Sequence, residues 1–206
     1  MPQDVPTGAF WNERFGREGY IYGTEPNEFL AESATRLAPK SRVLSLGEGE
    51  GRNGVYLASL GHSVLAVDGS TEGQRKAFAL ADKRGVALEY VVADLMNWTP
   101  SSPLDAVVSI FCHLPSTTRH VVHRRAWEAL RPGGLFVLEA YRPEQLSLDT
   151  GGPKNADMLV TLEDLRGDLA GARELVAVEH RRNIVEGAGH SGIAEVVDAV
   201  FEKPGR

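Results

Sequence analysis

The chain is poor in cysteine and in long apolar runs. Cys112 is the only cysteine among its 206 residues, which excludes an internal disulfide and any cysteine-rich metal site. Charged or turn-forming residues interrupt every apolar stretch before it reaches the roughly 20 residues that a membrane-spanning helix needs. We therefore predict a protein that holds no metal and does not span a membrane.

Positive charge is also scarce. The formal net charge is −6, whereas nucleic-acid-binding proteins usually carry a basic balance or a dense basic face. The basic run RHVVHRR, residues 119–125, is predicted as a solvated helix face. The N-terminal residues lack the basic start and apolar run of a secretory signal peptide. These absences predict a cytoplasmic protein without a nucleic-acid partner.

Length and composition fit a single globular domain. Hydrophobic residues make up 42% of the chain and charged residues 24%, which is typical of a soluble domain with a substantial core. We predict one domain over residues 1–206, with its core over 41–206. The aromatic-rich segment 1–40 is predicted to form one or two helices that pack near the mouth of a sheet as a lid.

Short apolar runs alternate with amphipathic segments from residue 42 onward, a pattern typical of a doubly wound α/β sheet. The runs that read as buried parallel strands are 42–46, 63–67, 88–92, 105–111 and 134–141. The predicted helices are 53–61, 70–85 and 116–134, followed by a short helix capped by Thr161. The strand-like runs 174–186 and 192–203 flank the glycine-rich GAGHSG and predict an antiparallel hairpin. Dinucleotide-binding domains usually add another parallel strand here, so the hairpin argues against them.

The stretch SLGEGEGRNG, residues 45–54, contains two overlapping glycine patterns. The dinucleotide pattern G-x-G-x-x-G begins at Gly49, and G-x-G-x-G begins at Gly47 directly after the first strand. Glu48 and Glu50 favour the second pattern, because a repulsive pair of unit charges 4 Å apart costs roughly 4 kcal/mol at an effective dielectric of about 20. We predict that the loop faces an uncharged or cationic ligand rather than a pyrophosphate.

Two aspartates follow the next two strands. Asp68 ends the second strand, where a carboxylate can accept both hydroxyls of a ribose; the alternative is a helix N-cap. Asp94 follows the third strand, where it can accept the exocyclic amine of an adenine; the alternative is an Asx-turn. Together with the glycine turn, these strand ends predict a site for a nucleoside without phosphates.

The chain resembles the class I S-adenosylmethionine-dependent methyltransferases. The motifs that carry the resemblance are VLSLGEGEGRN, AVDGS, VVADL, VVSIFCHLP and ALRPGGLFVLEAY. The opening FWNERFGREGYIYGTEPNEFL and the loop TGGP resemble the tellurite-resistance and thiopurine methyltransferase-like branch of small-molecule enzymes. The resemblance implies a Rossmann-like seven-stranded sheet in the order 3-2-1-4-5-7-6, with strand 7 antiparallel and helices on both faces.

The same resemblance implies a set of residues that bind S-adenosylmethionine. In this sequence they are Gly47, Glu48, Gly49, Gly51, Asn53, Asp68, Gly69, Asp94, Leu95, Ile110, Phe111 and Cys112. The glycines would approach the methionine portion, Asp68 the ribose, and Asp94 with Leu95 the adenine. Ser45 departs from the family, which usually has an acid there, and Glu48 is the nearby candidate to replace its charge.

Three residues are candidates for the methyl-acceptor side. His113 follows the fourth strand, Tyr141 ends the fifth, and His190 lies in the hairpin turn. Each histidine has the alternative of an ordinary structural role, and the neighbouring Cys112 is not predicted to be a nucleophile, because adjacent strand residues point to opposite faces.

Three functions are consistent with the sequence. The first is methyl transfer from S-adenosylmethionine to a small-molecule acceptor, such as a chalcogen oxyanion or a thiol, by in-line displacement. The second is a cofactor-binding protein without catalysis, and the third is an NAD(P)-dependent oxidoreductase. Alignment and desolvation supply much of the rate of the first reaction, so a reactive acceptor needs no general base.

Overall fold

The computed structural model describes residues 6–100 and 103–205. Within these residues, seven strands form one sheet in the order β3-β2-β1-β4-β5-β7-β6. The strands are β1 (Arg42–Leu46), β2 (Ser63–Asp68), β3 (Glu89–Val92), β4 (Leu104–Ile110), β5 (Leu130–Tyr141), β6 (Arg173–Glu186) and β7 (His190–Glu202). The helices are α1 (Gly8–Phe15), α2 (Glu28–Ala34), α3 (Arg52–Ser59), α4 (Thr71–Arg84), α5 (Ser116–Ala129) and α6 (Leu162–Asp168).

The strand pairing confirms the predicted fold class. Strands β1 to β5 run parallel, and β7 pairs antiparallel with both β5 and β6. Apolar residues from both faces of the central strands are buried, as expected for a parallel sheet covered on two sides. All described strands that precede a helix end at one edge of the sheet, and this edge carries the predicted site.

The boundary between α5 and β5 differs from the prediction. The helix ends at Ala129, and the strand already begins at Leu130, which pairs with Leu104. Pro132 explains the early end, because a proline ring clashes with the preceding helical turn and favours extended backbone before it. Residues 130–134 therefore extend the strand, with a register shift between Leu104 and Ala106.

The sequence pattern predicts Ala77, Phe78 and Ala81 as the inner face of α4, and this prediction is wrong at Phe78. Phe78 is 44% exposed, whereas Ala77, Leu80 and Ala81 are buried. The helix lies too close to the glycine loop for a large side chain at the contact: a Cβ on Gly51 would lie 2.6 Å from the Cα of Ala77. The small residues thus form the inner face.

The prediction of a solvated basic face at 119–125 is also wrong in part. The Arg119 side chain is 2% exposed and donates to Asp164 and Asp168 of α6, at 3.0 Å and 3.2 Å. His123 is buried too, with Nδ1 2.8 Å from the Asp168 carboxylate. These acids lie more than 40 residues away in sequence, so the local pattern did not reveal them.

Residues 6–40, which we call the lid, form two helices and contact the loops at the edge of the sheet that carries the site; their role as a lid over a ligand stays a prediction. Asn12 of α1 accepts hydrogen bonds from Ser70 Oγ and Glu72 N, at 2.7 Å and 3.1 Å. Phe15 packs on the glycine loop, since a Cβ on Gly49 would lie 3.1 Å from its ring. No helix within the described ranges is long and apolar enough to cross a bilayer.

A buried ion pair holds the lid on the glycine loop. Lys76 Nζ lies 2.7 Å from Glu50 Oε1 and also donates to the carbonyl oxygens of Arg17 and Gly19. Glu50 Oε2 accepts from the backbone N–H of Ile21 at 2.7 Å. The two charged side chains are only 7% and 3% exposed, so their pairing offsets the loss of hydration.

We expect Lys76→Met to destabilise the protein by about 3 to 5 kcal/mol, because it leaves the Glu50 carboxylate buried without its cation. The control is Arg75→Met at the preceding position. It removes an exposed ion pair with Glu72 and should lower the free energy of unfolding by at most about 1 kcal/mol. Urea unfolding of both variants gives the two values. Equal losses would contradict a specific role for the Lys76–Glu50 pair.

Candidate active site

The glycine loop has the register G-x-G-x-G. Gly47, Gly49 and Gly51 have φ angles of +61°, +61° and +96°, a region that favours glycine. Gly54 lies inside α3. A Cβ on Gly47 would lie 2.6 Å from the Sγ of Cys112, so the loop after β1 packs directly against the loop after β4. The predicted contact surface therefore begins at Gly47.

Glu48 lies beneath the loop. Its carboxylate accepts a hydrogen bond from Ser45 Oγ and another from Gly54 N at 2.7 Å. Burial raises the pKa of Glu48 to about 7, more than these bonds lower it. Ser45 and Glu48 thus act together where the family usually has one acid, while the prediction that Glu48 contacts the cofactor remains a prediction.

Glu50 does not face a ligand. Its two carboxylate oxygens bind Lys76 and the backbone of Ile21. The expectation that both loop acids face a cationic ligand is therefore wrong for Glu50, because its charge is used within the protein to fix the lid.

Asp68 is held by the backbone at the end of β2, and its role as a ribose ligand stays a prediction. Its Oδ2 accepts from Gly49 N at 3.0 Å and its Oδ1 from Ser70 N at 2.8 Å. The N-cap of α4 is Ser70, whose hydroxyl accepts from Gly73 N, so the N-cap alternative for Asp68 is wrong. Each carboxylate oxygen keeps a second lone pair for a ligand hydroxyl, and burial raises the pKa of Asp68.

The lid lies on Gly69, which follows Asp68. A Cβ on Gly8 would lie 2.4 Å from the carbonyl oxygen of Gly69, so the backbones of α1 and of this turn touch. Any ligand that Asp68 binds is therefore bordered by the lid.

Asp94 forms the Asx-turn that was its alternative role. Its Oδ1 accepts from Met96 N at 2.9 Å, and its Oδ2 from the Asn97 amide at 2.8 Å. The carboxylate is exposed and Leu95 is buried. Each oxygen of Asp94 again retains a lone pair that can accept a further hydrogen bond. The turn therefore orients the carboxylate and leaves it able to bind a ligand, and adenine binding stays a prediction.

The residues after β4 have an unusual backbone. Phe111 has φ +51°, which is strained for a bulky residue, and such strain clusters at functional sites. Ile110 is buried at the end of the strand. Burial raises the pKa of the Cys112 thiol to about 12, and its Sγ lies against Gly47; the contact of Cys112 with the cofactor stays a prediction.

The three acceptor-side candidates come together in one aromatic cluster, which we define as Tyr22, Phe111, His113, Tyr141 and His190. The His113 and Tyr141 rings are stacked, with centroids 5.4 Å apart. His190 lies 4.7 Å from Phe111, 5.4 Å from Tyr141 and 4.4 Å from Tyr22 of the lid. Residues from four separate segments of the chain thus enclose one small region.

Buried polar atoms in this cluster have no hydrogen-bond partner. These atoms are His113 Nε2, Tyr141 Oη and His190 Nδ1, together with Nε of Arg14 on the lid. His113 Nδ1 donates to the carbonyl of Met158 at 3.0 Å, so Nε2 carries the free lone pair. Burial lowers the pKa of His113 to about 4, which keeps it neutral. Unsatisfied buried polar groups are rare in folded proteins, and a catalytic role or a bound water or ion is among their explanations.

The cluster adjoins the glycine loop on two sides. On one side, Cys112 connects Gly47 to Phe111 and His113. On the other, Phe15 lies over Gly49 and its ring is 6.5 Å from that of Tyr22. A molecule in the cluster therefore lies next to whatever the glycine loop binds.

Sequence reasoning missed a buried polar network behind the cluster. Glu186 at the end of β6 accepts from Arg52 of α3 at 2.8 Å and from the Asn27 amide at 2.7 Å. The Asn27 amide also donates to Glu139, and Asn27 N donates to Asn53 Oδ1 at 3.0 Å. The amide oxygen of Asn53, a predicted cofactor ligand, is thus used by the lid. No local motif marks these residues.

The strand order, with β7 antiparallel, is the one that the resemblance to class I S-adenosylmethionine-dependent methyltransferases implies. Residues 43–134 match the family model described as a methyltransferase domain. TehB from Haemophilus influenzae superposes with a TM-score of 0.72 at 17% identity, covering 95% of this chain and 66% of that one. The methyltransferase NodS from Bradyrhizobium japonicum, in complex with S-adenosylhomocysteine, gives 0.72 at 15% identity, covering 98% and 100%. At these identities the superpositions show the fold.

Two curated relatives match part of the chain. The ubiquinone biosynthesis O-methyltransferase of Paramagnetospirillum magneticum is 29% identical over 108 residues, 52% of this chain and 43% of that protein. The tRNA 5-carboxymethoxyuridine methyltransferase of Escherichia coli is 28% identical over 148 residues, 65% and 56%. The matches span about half the length of these relatives. The match over residues 43–134 and these relatives support a class I S-adenosylmethionine-dependent methyltransferase, and the chain resembles the TehB-like branch.

The raised pKa of Glu48 predicts a pH-dependent stability. The folded pKa of about 7 exceeds the ordinary 4.5, so the folded state binds more protons between these values and the contribution of Glu48 to stability falls as pH rises through 7. The free energy of unfolding should therefore fall between pH 5 and pH 8 in the wild type. In Glu48→Gln we expect this fall to be smaller by about 2 to 3 kcal/mol. Urea unfolding across this range measures it. An equally steep fall in the variant would contradict the assignment.

Proposed function

We propose that the protein transfers a methyl group from S-adenosylmethionine to a small-molecule acceptor bound in the aromatic cluster. The observation that carries this proposal is the burial of the cluster beneath the lid: Tyr141 is 0% exposed, yet its Oη and the Nε2 of His113 are buried without a hydrogen-bond partner. A site that is closed by side chains from four segments suits a compact molecule.

The residues at the sheet edge fit the cofactor. The left-handed glycines 47, 49 and 51 let a ligand approach the loop backbone without side-chain interference, and Asp68 has two oxygens with free lone pairs for the ribose hydroxyls. The bound cofactor supplies an electrophilic methyl group on a sulfonium. Asp94, Leu95 and the segment 110–112 are the further residues that would border it.

The protein's contribution to the reaction is positioning and exclusion of water. The lid is fixed by Lys76, Glu50 and Asn27, and its Tyr22 ring closes the cluster against His190. In-line displacement depends on alignment of the two reactants, and holding them together contributes roughly 7 to 11 kcal/mol by effective-molarity arguments. Burial of the acceptor also suppresses loss of the methyl group to water.

An RNA acceptor is the alternative that a curated relative suggests, since the matching Escherichia coli protein is named as a tRNA methyltransferase. The net charge of −6 and the closed cluster favour a small molecule, because RNA recognition relies on basic surfaces and on exposed platforms for splayed bases. A small-molecule acceptor and an RNA acceptor predict different outcomes in the same methyl-transfer assay.

We expect release of S-adenosylhomocysteine when the protein is incubated with S-adenosylmethionine and a panel of tellurite, selenite, thiols, thiopurines and phenols. Transfer RNA in the same assay should give no release above background. Turnover with transfer RNA alone would contradict the small-molecule proposal. Binding of S-adenosylhomocysteine without turnover of any acceptor would instead favour the cofactor-binding protein without catalysis.

Titration calorimetry measures directly which cofactor the protein binds. We expect S-adenosylhomocysteine to bind and NADH not to bind. Asp68→Ala should weaken the binding at least about tenfold, because a hydrogen bond to a charged group contributes about 1.5 to 3 kcal/mol. Asp82→Ala, at the exposed end of α4, should leave it unchanged. Tight NADH binding without S-adenosylhomocysteine binding would overturn the assignment.

A further inference from the structure

Glu186 and His190 face each other across the turn between β6 and β7. They are the last pair of the hairpin register, and His190 Nδ1 lies 3.6 Å from Glu186 Oε2. Both residues are 7% exposed. A carboxylate that faces one ring nitrogen of a buried histidine selects the tautomer and the orientation of the ring.

Glu186 is held in its ionised form. Although burial opposes ionisation, His190, Arg52 and Asn27 together lower the pKa of Glu186 to about 2. The Arg52 guanidinium and the Asn27 amide bind the carboxylate from two sides, at 2.8 Å and 2.7 Å. These contacts favour a negative charge beside His190 at neutral pH.

The hairpin turn itself is fixed against the lid. Gly189 N donates to the Ile21 carbonyl at 2.9 Å, and a Cβ on Gly187 would lie 2.4 Å from the same oxygen. Since Gly189 directly precedes His190, the backbone next to the imidazole has little freedom to move. The distance between Glu186 and His190 is thus set by packing on both sides of the turn.

The surroundings keep His190 neutral yet able to take a proton. Burial lowers the pKa of His190, and Glu186 acts in the opposite direction. The other titratable or charged groups that face it from neighbouring elements are Arg14, Tyr22, Arg52, His113 and Tyr141. Among these groups only Glu186 carries a negative charge at neutral pH, so it alone stabilises an imidazolium there.

We propose that Glu186 positions His190 to take the proton of the methyl acceptor, so that the site uses acceptors that arrive protonated, with an O–H, N–H or S–H group. This inference rests on the proposed methyl transfer. The acceptor heteroatom forms its bond to the methyl carbon while the carbon–sulfur bond breaks and its electron pair stays on sulfur. The acceptor proton passes to Nε2 of His190, and the resulting imidazolium, with Nδ1–H directed at Glu186, is paired with the carboxylate.

His113 is less suited to this role. Its Nδ1 donates to the Met158 carbonyl, and no described carboxylate pairs with its ring. Burial lowers its pKa to about 4, which makes it a weak base. Its free Nε2 lone pair can accept a hydrogen bond from a second donor group of the acceptor, which leaves the transferred proton to His190.

The test is an NMR titration of the His190 imidazole in the protein without cofactor or acceptor, with the signal assigned by its loss in His190→Gln. We expect neutral His190 to carry its proton on Nδ1, as its nitrogen shifts report. Glu186→Gln should lower the pKa of His190 by about one unit or more, because the stabilising charge is removed. Glu186→Asp keeps the charge and should keep the Nδ1–H tautomer.

Arg52→Gln is the opposing variant. It removes a cation near His190 and should raise the pKa of the imidazole. The acidic limb of the pH profile of methyl transfer should shift in the same direction, which a purely structural role of the network would not predict. A proton on Nε2 in the neutral wild type, or an unchanged pKa in Glu186→Gln, would overturn the proposal. Because the titration contains no cofactor, its outcome is separate from that of the methyl-transfer assay.

Discussion

The site depends on the buried carboxylate of Glu186. Its partners come from three parts of the chain: Arg52 begins the helix after the glycine loop, Asn27 begins the second lid helix, and His190 starts β7. A buried charge that loses one partner costs about 3 to 5 kcal/mol, so these parts form their final arrangement together. The Glu186 carboxylate thereby fixes the positions of the glycine loop, the lid and His190 relative to one another.

Glu48 and Glu50 of the glycine loop bind groups of the protein itself, although their position in the loop suggested that they face a ligand. Glu48 binds Ser45 and the N-terminus of α3 from below, and Glu50 anchors the lid through Lys76. Direct repulsion of a phosphate is therefore a weaker argument than the loop backbone, because Glu50 is neutralised by its partner. The left-handed glycines from Gly47 onward distinguish this loop from a dinucleotide loop more clearly than its charges do.

Local patterns predicted the strands, the terminal hairpin and the strand-end residues, because strand periodicity, glycine turns and helix caps are properties of neighbouring residues. The order of the strands followed from the family resemblance. The cap of α6 at Thr161, with its reciprocal bonds to Asp164, is one such feature. The pairing of Asn27 with Glu186 joins residues 159 positions apart, and that of Arg119 with Asp168 joins residues 49 apart. Such pairs follow from tertiary packing, and single residues in the sequence do not mark them.

The cofactor site and the aromatic cluster share a boundary formed by Gly47, Cys112, Phe15 and Tyr22. A crystal structure of the protein with S-adenosylhomocysteine is the most direct measurement of what lies on either side of it. We expect both ribose hydroxyls to donate to Asp68 and the sulfur to face Phe111 and His190. A ribose bound away from Asp68, or a sulfur directed away from the cluster, would contradict the proposed site.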